Sequence, residues 1–128
     1  MFKAGPQKGF KKELGELGEK LASQYLEEKG YTILVRNFRC PLGEIDLIAL
    51  CDDVLVFVEV RSTTAADETN IAPSSINLHK QKKLRQLAAF YLQKHDIQNS
   101  RLCRFDVVII SFYKDFTVKK IELIKDAF

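Results

Sequence analysis

The sequence predicts a single α/β domain in which a mixed central sheet is flanked by two helices. Near-continuous apolar runs such as "EIDLIAL" and "VLVFVEV" are typical of strands that are covered on both faces. Two other segments carry apolar residues at the three- and four-residue spacing of amphipathic helices. A length of 128 residues with 46% hydrophobic and 29% charged residues suits one globular domain.

The amino-terminal segment predicts a basic arm ahead of this domain. Gly5, Pro6 and Gly9 discourage regular structure, so residues 1–11 are expected to form a flexible basic arm. The domain itself is then expected to span residues 12–128. The arm has no apolar core of the kind that a signal peptide needs, and no apolar run in the chain approaches the roughly 18 residues of a membrane span. We therefore expect a cytoplasmic protein.

The first half of the domain predicts a helix followed by three strands. Apolar spacing predicts a helix from Lys12 to Lys29, and Gly30 supplies a C-terminal stop. The β-branched and aromatic segment "YTILVRNFR" predicts the first strand, and a turn follows at residues 40–43. The runs "EIDLIAL" and "VLVFVEV" predict a hairpin that turns at Asp52 and Asp53.

The second half predicts a loop, a helix and a terminal hairpin. The polar stretch "STTAADETN" is expected to be a loop, and Pro73, Ser74 and Ser75 precede a second helix. The apolar side of that helix is predicted to consist of Ile76, Leu84, Leu87, Ala88, Tyr91 and Leu92. "RFDVVIISF" and "FTVKKIELI" predict two further strands. The expected order is α-β-β-β-α-β-β.

Acidic residues inside the predicted hairpin raise the question of a site. If Asp52 and Asp53 form a two-residue loop, Asp46 lies opposite Glu59 and Glu44 lies opposite Arg61. Like charges that face each other across strands are destabilising, so a shared proton, a basic side chain or a cation must lie between Asp46 and Glu59. Mg²⁺ would neutralise the repulsion between the two carboxylates, because it binds one or two carboxylates and keeps several coordinated waters.

Two structural alternatives remain open on the residues alone. Glu44 and Arg61 could form a plain cross-strand ion pair while Asp46 and Glu59 reach solvent at the strand ends. The basic residues could bind phosphates or could simply form solvated helix faces. These residues are Lys11, Lys12, Lys80, Lys82, Lys83 and Arg85.

The motifs together resemble a known family. "LGEKLASQYLEEKGYTILVRN", "GEIDLIA", "VFVEVR" and "CRFDVVII" closely resemble the YraN family of uncharacterised bacterial proteins over nearly the whole chain. That family is similar to the restriction-endonuclease-like nucleases, the PD-(D/E)xK superfamily, and especially to archaeal Holliday-junction resolvases. Their signature is a helical Glu, an Asp on one strand and ExK on the next. The resemblance implies a three-layer restriction-endonuclease-like fold.

The resemblance assigns roles to individual residues. Glu19 matches the helical glutamate, although Glu16 is an equally good candidate on the residues alone; Asp46 matches the metal-binding aspartate and Glu59 the glutamate of ExK. Arg61 stands where the family of nucleases has lysine, and arginine can clamp a phosphate but cannot act as a general base. Lys80 on the second helix could supply an ammonium to the same site, or could be a solvated surface lysine.

The expected function is a nuclease that acts on DNA, including branched or repair intermediates. Asp46 and Glu59 would hold Mg²⁺ or Mn²⁺, Glu19 would assist through water, and Arg61 with Lys80 would contact the scissile phosphate. A homodimer would suit a two-fold symmetric branched substrate. The alternative is a noncatalytic module that keeps the nuclease fold and binds nucleic acid or a protein partner.

Overall fold

A computed structural model describes residues 4–64, 76–98 and 101–128 of the chain. Two helices and five strands follow one another in the order α-β-β-β-α-β-β, which confirms the predicted order. The elements are α1 (Ala4–Glu28), β1 (Thr32–Cys40), β2 (Gly43–Cys51), β3 (Val54–Thr64), α2 (Leu78–Lys94), β4 (Cys103–Phe112) and β5 (Val118–Ile124).

Helix α1 begins earlier than the sequence predicts and ends where Gly30 was expected to stop it. Its first residue is Ala4 and not Lys12, so most of the segment expected to be a flexible arm is helical backbone. Pro6 is tolerated because it lies in the first turn, where its missing N–H would have no intrahelical acceptor. At the other end, Gly30 adopts φ +96°, and the Tyr31 N–H donates to the Leu26 carbonyl at 2.9 Å. This is the Schellman geometry that glycine favours.

The β2–β3 hairpin has the predicted two-residue loop. Asp52 and Asp53 both have positive φ, 48° and 68°, which is the conformation of the type I′ turn that fits the twist of a hairpin. Cys51 therefore pairs with Val54, and the same register continues as far as Leu47 opposite Val58. The register fixes which face of the sheet each side chain covers.

The five strands form one mixed sheet in the order β1-β2-β3-β4-β5. Only β3 and β4 are parallel among the described strands, and α2 lies in the connection between them. Alternate residues of β3 enter different cores. Val56 and Val58 pack with Leu26 of α1, whereas Leu55 and Phe57 pack with the buried face of α2. The helices thus lie on opposite faces of the sheet.

The polar connection after β3 is only partly described. The strand continues through Ser62–Thr64, which the sequence assigned to a loop, and the rest of that loop lies outside the described residues, as do Pro73, Ser74 and Ser75. Asn77 caps α2: its Oδ1 accepts a hydrogen bond of 2.8 Å from the Lys80 N–H. The predicted apolar side of α2 is correct for Leu84, Leu87, Ala88 and Tyr91, which are buried.

Neither of the two described helices contains an apolar segment long enough to cross a membrane.

Candidate functional site

Strands β2 and β3 separate next to Asp46 and Glu59. The hydrogen-bonded ladder between the two strands ends at Leu47 and Val58. Asp46 and Glu59, which were predicted to lie directly opposite each other, are therefore not a backbone pair. The Val60 N–H donates instead to Asp46 Oδ2 at 2.8 Å, which places the carboxyl group between the two strands. The prediction failed here because a side chain replaced the next rung of the ladder. The two carboxylates nevertheless lie close enough for the charge of Glu59 to act on Asp46.

Glu44 and Arg61 do not continue the ladder either. Glu44 is the partner of Arg39 on β1, and its Oε2 lies 3.4 Å from Arg39 Nε on the exposed surface. Arg61 lies half-buried on β3, at a position that pairs with Ile109 of β4. The ion pair formed by Glu44 therefore stays on the β1 side of the sheet.

Helix α1 brings Glu19 to this gap. Gly18 permits the approach, because a Cβ at that position would overlap Ser62 Oγ and lie 3.1 Å from Ser62 Cβ. The Glu19 side chain hydrogen-bonds to the side chains of Asp46 and Asn37. Asn37 is a strand residue with φ +55°, a conformation that asparagine tolerates better than most residues. Glu19 and Asp46, predicted from separate motifs, are therefore in direct contact.

Burial makes the Asp46–Glu19 pair hold a proton. Burial raises the pKa of Asp46 to about 8, with a further contribution from the charge of Glu59, while the Val60 N–H opposes the shift. Burial also raises the pKa of Glu19, although its hydrogen bonds to Asp46 and Asn37 act in the opposite direction. The contact between the two carboxyl groups raises the pKa of Asp46 and acts to lower that of Glu19, so the pair shares a proton at neutral pH.

Lys80 reaches the same site from α2. Its Nζ lies 2.5 Å from Glu59 Oε2, and the side chains are 47% and 12% exposed respectively. Lys80 stands in the first turn of α2, where the Asn77 cap fixes the backbone. Of the two interpretations of Lys80 left open by the sequence, a purely solvated lysine does not fit this contact.

Open cavities flank the gap on both faces of the sheet. On the α2 side, a cavity of about 360 Å³ is lined by Glu44, Asp46, Glu59, Lys80, Lys83 and Leu84, among others. On the α1 side, a cavity of about 480 Å³ is lined by residues that include Glu16, Glu19, Lys20, Arg36 and Asn37. The α1-side cavity thus reaches Glu19, and the α2-side cavity reaches Asp46, Glu59 and Lys80.

The six basic residues predicted to bind nucleic acid do not form one continuous surface. Lys80 and Lys83 line the α2-side cavity, while Lys82 is exposed elsewhere on the helix. Arg85 lies over the rings of Phe105 and Phe128, at 5.9 and 5.3 Å from their centroids. Lys11 and Lys12 are exposed on α1, which covers the opposite face of the sheet. The structure therefore brings only Lys80 and Lys83 of this set to the carboxylates.

Asp106 belongs to a separate buried network. It is fully buried, and its Oδ1 lies 3.0 Å from Arg104 Nε. The Tyr31 hydroxyl donates to Oδ2 at 2.7 Å, and the Asp126 N–H donates to Oδ1 at 3.0 Å. No buried side-chain nitrogen or oxygen of the described residues lacks a hydrogen-bond partner. The network therefore has the features of a structural connection between β4, the end of α1 and the carboxyl-terminal segment.

The described part of the chain offers a hard cation two neighbouring carboxylates, those of Asp46 and Glu59. Within residues 4–64, 76–98 and 101–128, no group of three or more His, Cys, Asp or Glu side chains is arranged to hold a metal ion. His79 and His95 are exposed, and the three cysteines are free thiols. Asp46 and Glu59 offer oxygen donors and crowded negative charge, which suit a hard cation that binds one or two carboxylates.

Two residues that organise the site, Asn37 and Gly18, carry only weak signals in the sequence. Asn37 holds Glu19, and its only signal was an amide inside the otherwise apolar and basic strand "YTILVRNFR". Gly18 lies inside a predicted helix, where glycine is unfavourable, and that cost was the available indication of a close packing contact.

Comparison with known proteins identifies the family. The model of the family described as "Uncharacterised protein family UPF0102" matches residues 18–110. A UPF0102 protein of Pelotomaculum thermopropionicum is 46% identical over 118 residues, covering 92% of this chain and 97% of the relative. Those of Caldicellulosiruptor bescii and Moorella thermoacetica are 44% and 42% identical, covering 91% and 89% of this chain and 98% and 93% of the relatives. The chain belongs to the UPF0102 family, which confirms the resemblance to the YraN proteins.

Proposed function

We propose that this protein is a metal-dependent nuclease of the restriction-endonuclease-like type that cleaves DNA phosphodiester bonds in the cytoplasm, with branched or repair intermediates as substrates. The observation that carries the proposal is the convergence of Glu19, Asp46, Glu59 and Lys80 where β2 and β3 separate. Burial and the charge of Glu59 raise the pKa of Asp46 to about 8, and carboxyl groups perturbed in this way cluster at functional sites. The α-β-β-β-α-β-β order and the two helical layers are compatible with this fold type.

Asp46 and Glu59 are the residues that would hold Mg²⁺ or Mn²⁺. When bound, such an ion lowers the pKa of a coordinated water and stabilises negative charge on a phosphate. The donor set is chemically suitable, because both ligands are carboxylates and the cavity beside them is open to solvent.

The remaining residues would position the substrate and handle protons. Glu19 contacts Asp46, and the proton that the pair shares must leave when Asp46 binds a metal ion. Lys80 and Lys83 line the cavity and present ammonium groups to phosphate oxygens. Arg61 can contact a phosphate, but a guanidinium group is not suited to be the general base.

A noncatalytic nucleic-acid-binding module is the second candidate. The observation that favours it is the ion pair between Lys80 and Glu59, which already neutralises one carboxylate without any metal. Arginine in place of the usual lysine at position 61 points in the same direction. Such a module would bind nucleic acid with a strong dependence on salt and without a requirement for a divalent ion.

The deciding experiment combines calorimetric titration of Mg²⁺ and Mn²⁺ with cleavage of a labelled branched DNA. The samples are the parent protein, Asp46→Asn and Glu59→Gln, with Asp96→Asn as the matched control. Asp96 is an exposed carboxylate just beyond the C-terminal end of α2, whereas Lys80 stands in the first turn of that helix. We expect the first two variants to lose metal binding and cleavage together, and the control to keep both.

Two results would count against the nuclease. Absence of metal binding by the parent at millimolar concentrations would exclude the metal-dependent mechanism. Metal binding without cleavage, together with salt-sensitive DNA binding, would instead support the noncatalytic module.

A further inference from the structure

The carboxylate of Glu59 already has a cationic partner that can reach solvent. Lys80 Nζ contacts Glu59 Oε2 at 2.5 Å, and nearly half of the Lys80 side chain is exposed, whereas Glu59 is 12% exposed. A metal ion at Glu59 would therefore approach an oxygen that an ammonium group occupies or adjoins. The Lys80 ammonium group and such a metal ion would therefore compete for the carboxylate of Glu59.

The helix backbone that carries Lys80 is fixed, so exchange falls to its side chain. Asn77 caps the first turn of α2, and Gln81 Nε2 donates to the Ile76 carbonyl at 2.8 Å. Leu84 and Leu87 are buried one and two turns further along the helix. Lysine has a flexible four-carbon stem, and Lys80 lines the same open cavity into which a phosphate would enter.

Resting on the proposed nuclease function, we propose that Lys80 exchanges between Glu59 and a phosphate oxygen of the nucleic acid, so that the metal ion and the nucleic acid bind cooperatively. Without nucleic acid, the ammonium group neutralises Glu59 and repels a divalent ion. A phosphate that enters the cavity offers Lys80 a second anion and draws it away. Glu59 is then available to the metal.

Thermodynamic linkage makes the effect reciprocal. The factor by which nucleic acid raises the affinity for the metal equals the factor by which the metal raises the affinity for nucleic acid. Couplings of this kind are about 5- to 150-fold in proteins. Without the Lys80 charge, most of that factor should disappear.

The test is calorimetric titration of Mn²⁺ into the full chain, with and without a saturating branched DNA oligonucleotide that is checked for integrity afterwards. Lys80→Gln removes the charge, and Lys80→Arg keeps it. Lys94→Gln is the matched control, because it removes the same charge from an exposed position of α2 about 21 Å along the helix from Lys80. Thermal unfolding confirms that each variant is folded.

We expect Lys80→Gln alone to bind Mn²⁺ at least about fivefold more tightly in the absence of DNA. DNA should raise the affinity of the parent, Lys80→Arg and Lys94→Gln by that factor, and the affinity of Lys80→Gln by much less. Equal affinities in all four proteins, or weaker binding by Lys80→Gln, would overturn the exchange and leave the metal site and the proposed nuclease standing. Failure of all four to bind Mn²⁺ would remove the metal-dependent function as well.

Discussion

Asp46 lies where burial, the charge of Glu59 and the contact with Glu19 all oppose ionisation. An isolated aspartate ionises near pH 4, so this residue binds a proton in the folded protein over a pH range in which the unfolded chain has released it. The proton therefore stabilises the folded state at low pH. Stability is lost as the pH rises from about 4 to about 8, which is the opposite of the usual behaviour of a paired aspartate.

Asp46→Asn should remove this dependence. The amide has the size of the protonated acid, can accept from the Val60 N–H and can donate to Glu19. We expect the variant to be more stable than the parent at pH 7 by about 1 kcal/mol or more, with a difference that grows between pH 5 and 8. Denaturant unfolding at several pH values measures this. A difference that stays constant with pH would contradict the assigned protonation state.

Asp106 illustrates a buried charge with a structural role. Its carboxylate is surrounded by Arg104, Tyr31 and the Asp126 N–H, which hold it without exposure to solvent. Removal of one of these groups leaves the others buried and without a partner. The free-energy cost of such an unpaired buried group exceeds the net free energy that the intact pair contributes.

Asp106→Ala should therefore destabilise the protein by about 3–5 kcal/mol, as measured by chemical denaturation. Glu44→Gln breaks the exposed pair with Arg39 and should change the free energy of unfolding by less than about 1 kcal/mol. Similar effects from the two substitutions would show that the Asp106 network is not the buried tie described above.

At the scale of elements, helix α1 is positioned against β3 by the absence of one side chain. Gly18 faces Ser62, whereas Gly15 on the same helix has open space around it. The two glycines therefore allow a matched comparison between packing and intrinsic helix propensity.

Gly18→Ala should destabilise the protein by about 1–3 kcal/mol, because α1 or Ser62 must move to accommodate the methyl group. The same movement displaces Glu19, so the variant should also bind a metal ion more weakly if the proposed site is correct. Gly15→Ala should stabilise the helix by up to about 1 kcal/mol. Thermal unfolding of both variants gives the comparison, and a stabilised Gly18→Ala would refute the close contact.

Elements with strong local signals were predictable from the sequence, and those that depend on tertiary contacts were not. The double Asp turn and the period-2 pattern fixed the β2–β3 register near the loop, and Gly30 marked the helix end. Beyond Leu47 the register failed, because the Asp46 side chain takes the Val60 N–H. The early start of α1 was missed because Pro6 was treated as a breaker without regard to its place in the first turn.

The same division applies to the site. The proximity of Asp46 and Glu59 could be predicted from the sequence, because both residues lie in one predicted hairpin. The contact of Lys80 with Glu59 depends on the connection from β3 into α2, and the hydrogen bond between Asn37 and Glu19 depends on a left-handed strand residue. Neither feature follows from hydrophobic periodicity.

At the scale of the whole molecule, charge is distributed on both sides of the sheet. Lys80 and Lys83 line the cavity beside the carboxylates, while Lys11 and Lys12 lie on α1 across the sheet. A nucleic acid that binds at the α2-side cavity would contact the first pair directly and the second pair only if it wraps around the sheet end.

The salt dependence of DNA affinity distinguishes these cases. Replacement of Lys80 and Lys83 by Gln should reduce the slope of log affinity against log salt by about 2, because each lysine that neutralises a phosphate contributes about 0.9. The double replacement of Lys11 and Lys12 should reduce it by less than about 1. Equal reductions, measured by fluorescence anisotropy, would show that the bound strand contacts both faces.

The irregular pairing of the outer strands also limits how two copies of the chain can associate. Strand β1 has a register shift between Ile33 and Val35, and the β4–β5 ladder has one between Ser111 and Phe112. Bulges and edge charges of this kind discourage the addition of a strand from another molecule. Growth of the sheet into chain-to-chain ribbons is therefore disfavoured at both margins, and a homodimer on a two-fold branched DNA would have to associate through its helices or loops.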